Sequence, residues 1–374
     1  MNERITARIT DEAVEALRAE IGREISIPQY NTTASEDAIR HYALGLGDDN
    51  PLWTDRSYAA NTWRGGITAL PTFVMSCGFP RSRGLAGIHG LFSGIDLVCH
   101  KPIKAGMRIR AATGLHELNE KEGRYAGRTF QQIARTRYID EQGDVLSELF
   151  SHAFRTDRKE GSKKGKYSDI ERQHYTEDEL QPIIQHYKNE TRARRSSVPR
   201  YFEDVSVGEE IFPLVKGPLT VTDCICFLMG FGYIYVKAHR QWYAFLDRHP
   251  GAGVKDPFGV YDVPERVHWE EDLAKSIGMP AAYDYGPQRI GWFDHCVHDW
   301  MGDDGWMKRL QVRLSGPNFI GDTSWIKGEI IEKVESDHSV TIKMECIDQR
   351  GRVTATGSAF VMLPTKDGKK GLQT

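Results

Sequence analysis

Hydrophobic and polar residues follow the same order twice along the chain. Helical periodicity predicts a helix over AIRHYALGLG, capped by Ser35 and Asp37, and another over LTVTDCICFLMGFG, capped by Thr220 or Thr222. Alternating apolar and polar residues follow each helix and are typical of antiparallel strands. These segments are MRIRAATGLH, RYAGRTFQQIART and VLSELFSHAF in the first part, and TSWIKGEIIEKV, SVTIKMECID and VTATGSAFVML in the second.

Turn signals between the predicted strands repeat as well. The turn Pro102–Gly106 recurs 215 positions later as Pro317–Gly321, and Ile139–Gly143 recurs 208 positions later as Ile347–Gly351. The first helices of the two parts are only about 185 positions apart, so the second part carries roughly 30 extra residues. We place these extra residues at Tyr233–Pro264, which we call the insertion.

Each repeat therefore reads as a helix, a connection, a second helix and a run of antiparallel strands. A long antiparallel sheet wrapped around one central helix has this order and is called a hotdog. The sequence thus predicts an α+β protein with a tandem (double) hotdog. The central helices are expected to begin near Leu70-Pro71 and Gly286-Pro287, with each proline in the first turn. We predict an N-terminal hotdog at residues 1–156, a linker at 157–200 and a C-terminal hotdog at 201–374.

The linker has its own sequence signature. It opens with the charged run RKEGSKKGK, which favours a flexible segment, and continues with a helical pattern near Glu177–Arg195.

Composition restricts the possible environment and partners. A net charge of -3 gives no reason to expect nucleic acid or a membrane surface as a partner. The N-terminal segment lacks the apolar region of a signal peptide, and the six cysteines lack paired spacing. We therefore expect a cytoplasmic protein with reduced thiols and no metal site. His295 and His298 lie near Asp294 and Asp299, but they lack the order of a metal motif, and we expect them at an exposed helix end.

The repeat also indicates where chemistry is carried. An offset of 215 pairs Trp53 with His268, and an aspartate precedes each of them, Asp48 and Asp262 respectively. Only the second part thus has both a carboxylate and an imidazole, which together can hold a water and move its proton. We predict His268 and Asp262 as catalytic residues.

A glycine begins the second central helix, where the first repeat has Leu70. Gly286 would let a ligand carbonyl approach helix N–H groups, and the helix dipole favours developing negative charge there. It could equally serve only to accommodate a turn after Tyr285. Arg289 lies one turn further on, where a buried charge would need a partner. Gly286 completes the predicted catalytic set, and the predicted substrate-binding residues are Asp48, Trp53, Tyr285 and Arg289.

These segments resemble a known family. GDDNPLW resembles the GDxNPxH signature of the MaoC-like, R-specific enoyl-CoA hydratases, with Trp53 in place of the histidine. The first part resembles the N-terminal dehydratase domain of two-hotdog members, and HWEEDLAKSIGMPAAYDYGPQRIGWF resembles their C-terminal MaoC domain. In the signature the aspartate lies five residues before the histidine, but Asp262 lies six before His268.

The resemblance implies that Asp and His hold the water added across a trans-2-enoyl-CoA double bond, giving a 3-hydroxyacyl-CoA. His268 matches the catalytic histidine of that family and Gly286 its oxyanion glycine. Coenzyme A is then part of the substrate, and no separate cofactor is expected. Homodimerisation is expected because sheet edges remain to be covered.

Two other functions stay open at this point. A hotdog thioesterase often uses a carboxylate on the central helix, for which Asp284 and Asp294 are candidates. A non-catalytic acyl-thioester-binding subunit would explain Trp53 and the irregular spacing of Asp262. The acyl group, the physiological direction and the choice between coenzyme A and an acyl carrier protein are likewise left open by the sequence.

Overall fold

The computed structural model describes residues 8–80, 82–85, 87–88, 90–121, 128–156, 167 and 169–368. The charged run RKEGSKKGK and the start of the predicted strand RYAGRTFQQIART lie outside these residues. Among the described helices, none combines the length and apolar character needed to traverse a lipid bilayer.

Ten strands form one antiparallel sheet, in the order β1-β3-β4-β5-β2-β9-β12-β11-β10-β6, and two short strands form a separate pair, β7-β8. The first half of the chain contributes β1 to β5, and the second half contributes the others. The strands are β1 (Glu24–Ser26), β2 (Gly90–Cys99), β3 (Arg110–Lys121), β4 (Thr129–Ile139), β5 (Val145–Thr156), β6 (Leu214–Lys216), β7 (Val254–Lys255), β8 (Tyr261–Asp262), β9 (Trp306–Leu314), β10 (Ser324–Val334), β11 (Ser339–Asp348) and β12 (Val353–Met362).

Pairing between β2 and β9 joins the two half-sheets, with a register from Gly94 opposite Arg313 to Val98 opposite Arg309. A Cβ at Gly94 would overlap the backbone of β9, so glycine lets the two halves approach at this seam. The tandem α+β hotdog predicted from the sequence is confirmed by this arrangement of two equivalent half-sheets. The exact domain boundaries stay predictions.

Nine α-helices lie in the described part of the chain. They are α1 (Asp11–Arg18), α2 (Glu36–Leu46), α3 (Pro51–Thr54), α4 (Arg56–Ala60), α5 (Glu177–Ala193), α6 (Val221–Phe231), α7 (His239–Arg248), α8 (Glu271–Ser276) and α9 (Gly286–Met301). Short 3-10 helices cover Pro71–Cys77, Phe202–Asp204, Pro250–Ala252 and Pro264–His268.

Helices α2 and α6 are the equivalent first helices of the two repeats, and they pack against each other. The predicted caps are confirmed: Ser35 and Thr220 accept hydrogen bonds from the first turns, and Gly47 and Gly232 end the helices with positive φ. Gly45 lies against the backbone of Cys226–Phe227.

The contact between α2 and α6 is reciprocal. Gly230 lies 185 positions after Gly45 and packs against His41–Tyr42, which lie 185 positions before Cys226–Phe227. The repeat offset found in the sequence is thus a local pseudo-twofold axis in the structure.

The two central helices differ in length. Helix α9 has 16 residues and is almost entirely buried, whereas the first repeat has a buried 3-10 helix of seven residues, Pro71–Cys77. The predicted start of the first central helix is confirmed, and the structure shows that this helix is a short 3-10 helix. The helix ends at Gly78, whose φ of 149° is outside the helical range. A Cβ at Gly78 would lie only 3.0 Å from side-chain carbons of Ile27 and Ala111, which favours glycine at this position.

Candidate active site

His268 lies at the end of the 3-10 helix Pro264–His268, beside the start of α9. Its Nδ1 donates to the backbone carbonyl of Tyr283 at 2.8 Å, and its ring stacks on Tyr285 with centroids 3.8 Å apart. Because a carbonyl oxygen only accepts, Nδ1 carries the proton and Nε2 carries the lone pair. Burial lowers the pKa of His268 to about 4, so the ring is neutral at pH 7. The imidazole is therefore prepared to act as a base through Nε2.

Gly286 is the first residue of α9 and directly follows Tyr285. A Cβ at Gly286 would lie 2.9 Å from side-chain carbons of Phe92 and Leu314, so a larger residue would displace these side chains. The partial positive charge of the helix N-terminus lies at this point. His268 stacks on Tyr285, the residue that directly precedes Gly286.

Tyr285 forms the wall shared by these two groups. It is 5% exposed, and its hydroxyl has no hydrogen-bond partner among the described residues. Burial, with Cys224 and Glu265 nearby, raises the pKa of its hydroxyl, so the phenol remains protonated and able to donate. A substrate-contacting role for Tyr285 fits this position.

Asp262 does not join His268 in the described contacts. Its carboxylate accepts a hydrogen bond from the Val263 N–H at 2.7 Å and lies 3.4 Å from Nε of Arg266. The sixth position before His268 precedes the whole 3-10 turn, and Arg266 in that turn faces back toward the carboxylate. The predicted Asp262–His268 pair is therefore wrong as a contact.

A different carboxylate lies in the same turn. Glu265 is three residues before His268, where the resembled signature has asparagine, and its charge contributes to the raised pKa of Tyr285. The sequence did not single out Glu265, because the resembled signature contains an aspartate and no glutamate. Its position within the histidine's own 3-10 turn was the available signal.

In the first half, Trp53 stands where the resembled signature has its histidine, but an indole cannot act as a base. Its indole Nε1 donates to Asp48 Oδ2 at 2.9 Å, while Asp48 Oδ1 accepts from the Asn50 N–H. Asp48 is 0% and Trp53 1% exposed. An indole N–H offers no basic lone pair, and both side chains are in the core. The prediction that Asp48 and Trp53 contact substrate was wrong because they satisfy each other inside the fold.

Asp48 also belongs to a buried charged cluster around His295. Carboxylate oxygens of Asp48, Glu190 and Asp299 lie 3.6, 3.5 and 3.3 Å from His295 Nε2. These residues come from the first half, the linker helix α5 and α9, so the cluster connects all three. The expectation of an exposed helix end was wrong, since His295 is fully buried.

The cluster's donor set favours a proton over a metal ion. The ligand atoms of Asp48, His295 and Asp299 are close enough together to hold an ion. However, Lys216 Nζ lies 3.1 Å from His295 Nδ1, so Nδ1 accepts and Nε2 bears the proton that faces the carboxylates. A metal-bound histidine instead donates through its other nitrogen. Burial lowers the pKa of His295, but Asp48 and Asp299 outweigh it and raise the pKa above its usual value.

Arg289 is not free to bind substrate. Its Nε donates to Asp284 Oδ2 at 2.7 Å and its Nη1 to the Thr354 carbonyl at 2.8 Å, and both charged side chains are 2% exposed. The predicted substrate role of Arg289 was wrong because the guanidinium is already satisfied. Asp284 lies between Tyr283 and Tyr285, so the ion pair fixes the backbone that holds His268 and begins α9.

The carboxylates considered for thioester hydrolysis are also engaged. Asp284 accepts from Arg289 and Asn318, and Asp294 accepts from both the N–H and the hydroxyl of Thr72. Asp294 further lies 2.8 Å from His298 Nδ1. Both aspartates are therefore structural ties in the described structure, with Asp294 holding the start of the first 3-10 helix.

A small cavity lies between residues of the first half and the end of α6. Its volume is about 20 Å³, and five of its eleven lining residues are aromatic. Its lining includes Tyr30, Met75, Phe79, Phe231, Tyr233 and Tyr235, of which the last two come from the insertion. The insertion thus contributes to this cavity through its first residues, Tyr233 and Tyr235.

Comparison with known proteins gives a consistent result. The family model described as FAS1-like, dehydratase domain region matches residues 19–149. The comparison with curated proteins gives no match. Among solved structures, a MaoC-like dehydratase is 17% identical with a TM-score of 0.63, over 92% of this chain and 99% of that one.

Two further structures extend over both halves. A MaoC-like dehydratase from Phytophthora capsici is 14% identical with a TM-score of 0.56, over 94% of this chain and 99% of that one. A Mycobacterium tuberculosis protein described as having a double hotdog fold is 11% identical with a TM-score of 0.56, over 92% and 96%. At such identities these likenesses show the fold, and the family model adds the dehydratase region.

Residues 19–149 match a dehydratase-region family model, and the chain as a whole shares the fold of the MaoC-like dehydratases. The two halves are unequal, because Trp53 stands where the resembled signature has its histidine, whereas the equivalent position of the second half is His268.

Proposed function

We propose that this protein is a MaoC-like dehydratase that adds water reversibly to a trans-2-enoyl thioester, and that the site lies at His268 and Gly286. The observation that carries the proposal is the buried, neutral His268, which is hydrogen-bonded through Nδ1 to the Tyr283 carbonyl and stacked on Tyr285, the residue directly before α9. A base next to a helix N-terminus suits a reaction in which negative charge develops on a carbonyl oxygen.

One base is enough for the proposed steps, because the proton taken from water is the proton returned to C2. The thioester carbonyl sits at the start of α9, where the Gly286 N–H and the helix dipole stabilise an enolate. His268 Nε2 takes a proton from water as the water oxygen bonds to C3, and the double-bond electrons move toward the carbonyl. The imidazolium then gives that proton to C2 on the same face. The product is a 3-hydroxyacyl thioester formed by syn addition, and the reverse sequence is dehydration.

Glu265 is proposed to replace the missing aspartate as the group that orients the water. It shares the 3-10 turn of His268, and its charge acts on Tyr285. Asp262 lacks this proximity because Arg266 holds it. We further propose coenzyme A as the thioester carrier, no separate cofactor, and a cytoplasmic homodimer.

The second candidate is a non-catalytic acyl-thioester-binding protein. It is favoured by the pairing of Asp262 with Arg266 instead of with His268. Thioester hydrolysis has less support, because Asp284 and Asp294 are both engaged in buried contacts.

A panel of trans-2-enoyl-CoAs and 3-hydroxyacyl-CoAs separates these candidates. We expect loss of the conjugated-thioester absorbance with enoyl substrates and no release of free thiol. Thiol release would indicate hydrolysis instead. Binding without turnover of any thioester would favour the non-catalytic protein and contradict the proposal.

The pH dependence gives an independent prediction. The base must be neutral, and the pKa of His268 is lowered to about 4, so kcat/KM should stay level through pH 6 and fall only as the pH approaches 4. A profile of kcat/KM against pH measures this, since it reports ionisations of the free enzyme. Circular dichroism at each pH checks that the protein is still folded. Half-loss of activity near 6.5, the value of an unperturbed histidine, would contradict the assigned environment.

A further inference from the structure

The rings around the site restrict the acyl group. Phe92 of β2 occupies the space where a Cβ of Gly286 would lie, and Phe79 packs edge-on against Phe92 with centroids 5.2 Å apart. Both residues come from the first half, which therefore closes the second-half site with two aromatic side chains. An acyl group that extends from the start of α9 toward the first half would contact Phe92 and Phe79.

The second half supplies a matching row of rings. Phe227 lies 5.6 Å from Tyr285, and Phe231 stacks on Phe227 at 5.1 Å. Tyr233 continues the row, 6.1 Å from Phe231, and Phe231 also meets Phe79 at 6.2 Å. The row thus runs without a break from the wall of the site to the cavity.

These rings have little freedom to move aside. Phe227 is 1% and Phe231 3% exposed, and both lie on α6, which is locked against α2 by the glycine contact. Close-packed interiors resist the displacement of such side chains. Phe79 is only partly buried and is the ring with the most room.

The cavity beyond the rings is small, with a volume of about 20 Å³, which is room for about one water molecule. A long acyl chain could therefore enter it only if the rings moved aside. Tyr30 packs so closely on Gly232 that a Cβ there would overlap the ring. Tyr30 and Pro28 both line this cavity.

We infer that the site accepts short acyl groups and discriminates against long fatty chains, with Phe79 setting the limit. This inference rests on the proposed function and names its substrate class. A flat, conjugated short enoyl group also suits the aromatic faces. The insertion contributes to the same limit through Tyr233 and Tyr235.

The test compares trans-2-enoyl-CoAs of four, eight and twelve carbons. We expect kcat/KM to fall at least tenfold from four to twelve carbons, and Phe79→Ala to raise the ratio for eight over four carbons. Phe79→Leu, a smaller change, should raise it less. The control is Phe258→Ala, which alters a 91% exposed ring at the tip of the insertion and should leave the ratio unchanged.

Equal or better turnover of the twelve-carbon substrate, or an unchanged ratio in Phe79→Ala, would overturn the inference. Calorimetric binding of butyryl-CoA and dodecanoyl-CoA gives an answer that does not need turnover. A pocket open to the chain should gain about fourfold in affinity for each buried CH₂. A failure of the proposed function would appear as absent turnover of every chain length, whereas tighter binding of dodecanoyl-CoA would contradict the inference alone.

Discussion

Replacement of His268 by alanine should lower kcat/KM for enoyl thioester hydration by about 10²–10⁴-fold, the usual contribution of a positioned acid–base group. In the described site no other imidazole lies against Tyr285 and the start of α9. The loss should appear mainly in kcat, because His268 acts on the water and on C2 instead of holding the carrier. Steady-state kinetics with the best enoyl substrate measure it.

The matched control is His249→Ala, an exposed histidine that lies outside the proposed site. It should retain full activity, and both variants should keep the native circular dichroism spectrum. Equal activity of His268→Ala and the native protein would show that the reaction takes place elsewhere.

The largest expected effect on folding is at the crossing of α2 and α6. Gly230→Ala should lower the free energy of unfolding by about 3 kcal/mol, because its Cβ would overlap the backbone carbonyl of His41. A rigid backbone atom cannot move aside as a flexible side chain can. The gain in helix propensity of about 1 kcal/mol from alanine offsets only part of this loss. Urea unfolding measures the difference.

Gly251→Ala serves as the control for this substitution. Gly251 has no heavy atom within 4 Å of the added Cβ, so its change should stay within about 0.5 kcal/mol. Similar stabilities for Gly230→Ala and Gly251→Ala would mean that the two helices do not cross as closely as described. Gly45→Ala, the equivalent change in the other helix, should also destabilise through its contact with the backbone of Cys226–Phe227.

Features set by local chemistry could be predicted from the sequence. The capping residues Ser35 and Thr220, the terminating glycines and the repeated turns depend on residues close together in the chain. The repeat then gave the order of strands and the fold. The choice of His268 and Gly286 as candidate residues also rests on the repeat, through offsets of 215 from Trp53 and 216 from Leu70.

Features set by distant partners could not be predicted in this way. The carboxylates around His295 come from three separate segments, and no spacing in the sequence brings them together. Arg289 was expected to need a partner because its charge would be buried. Its partners are Asp284 and two backbone carbonyls, and only the folded turn before α9 brings them to the guanidinium.

Asp262 was misassigned for a different reason. One extra residue of spacing is enough to turn its carboxylate toward Arg266. The repeat offset that singles out His268 therefore does not single out a carboxylate beside it.

The central claim is that water is added to an enoyl thioester at the second-half site. The most direct measurement is mass spectrometry of the product formed from crotonyl-CoA in H₂¹⁸O, with a parallel reaction in D₂O. We predict one ¹⁸O on C3 and one deuterium on C2 of an intact 3-hydroxybutyryl-CoA, and neither product in His268→Ala. Release of free coenzyme A with ¹⁸O in the carboxylate, or unaltered crotonyl-CoA, would contradict the claim.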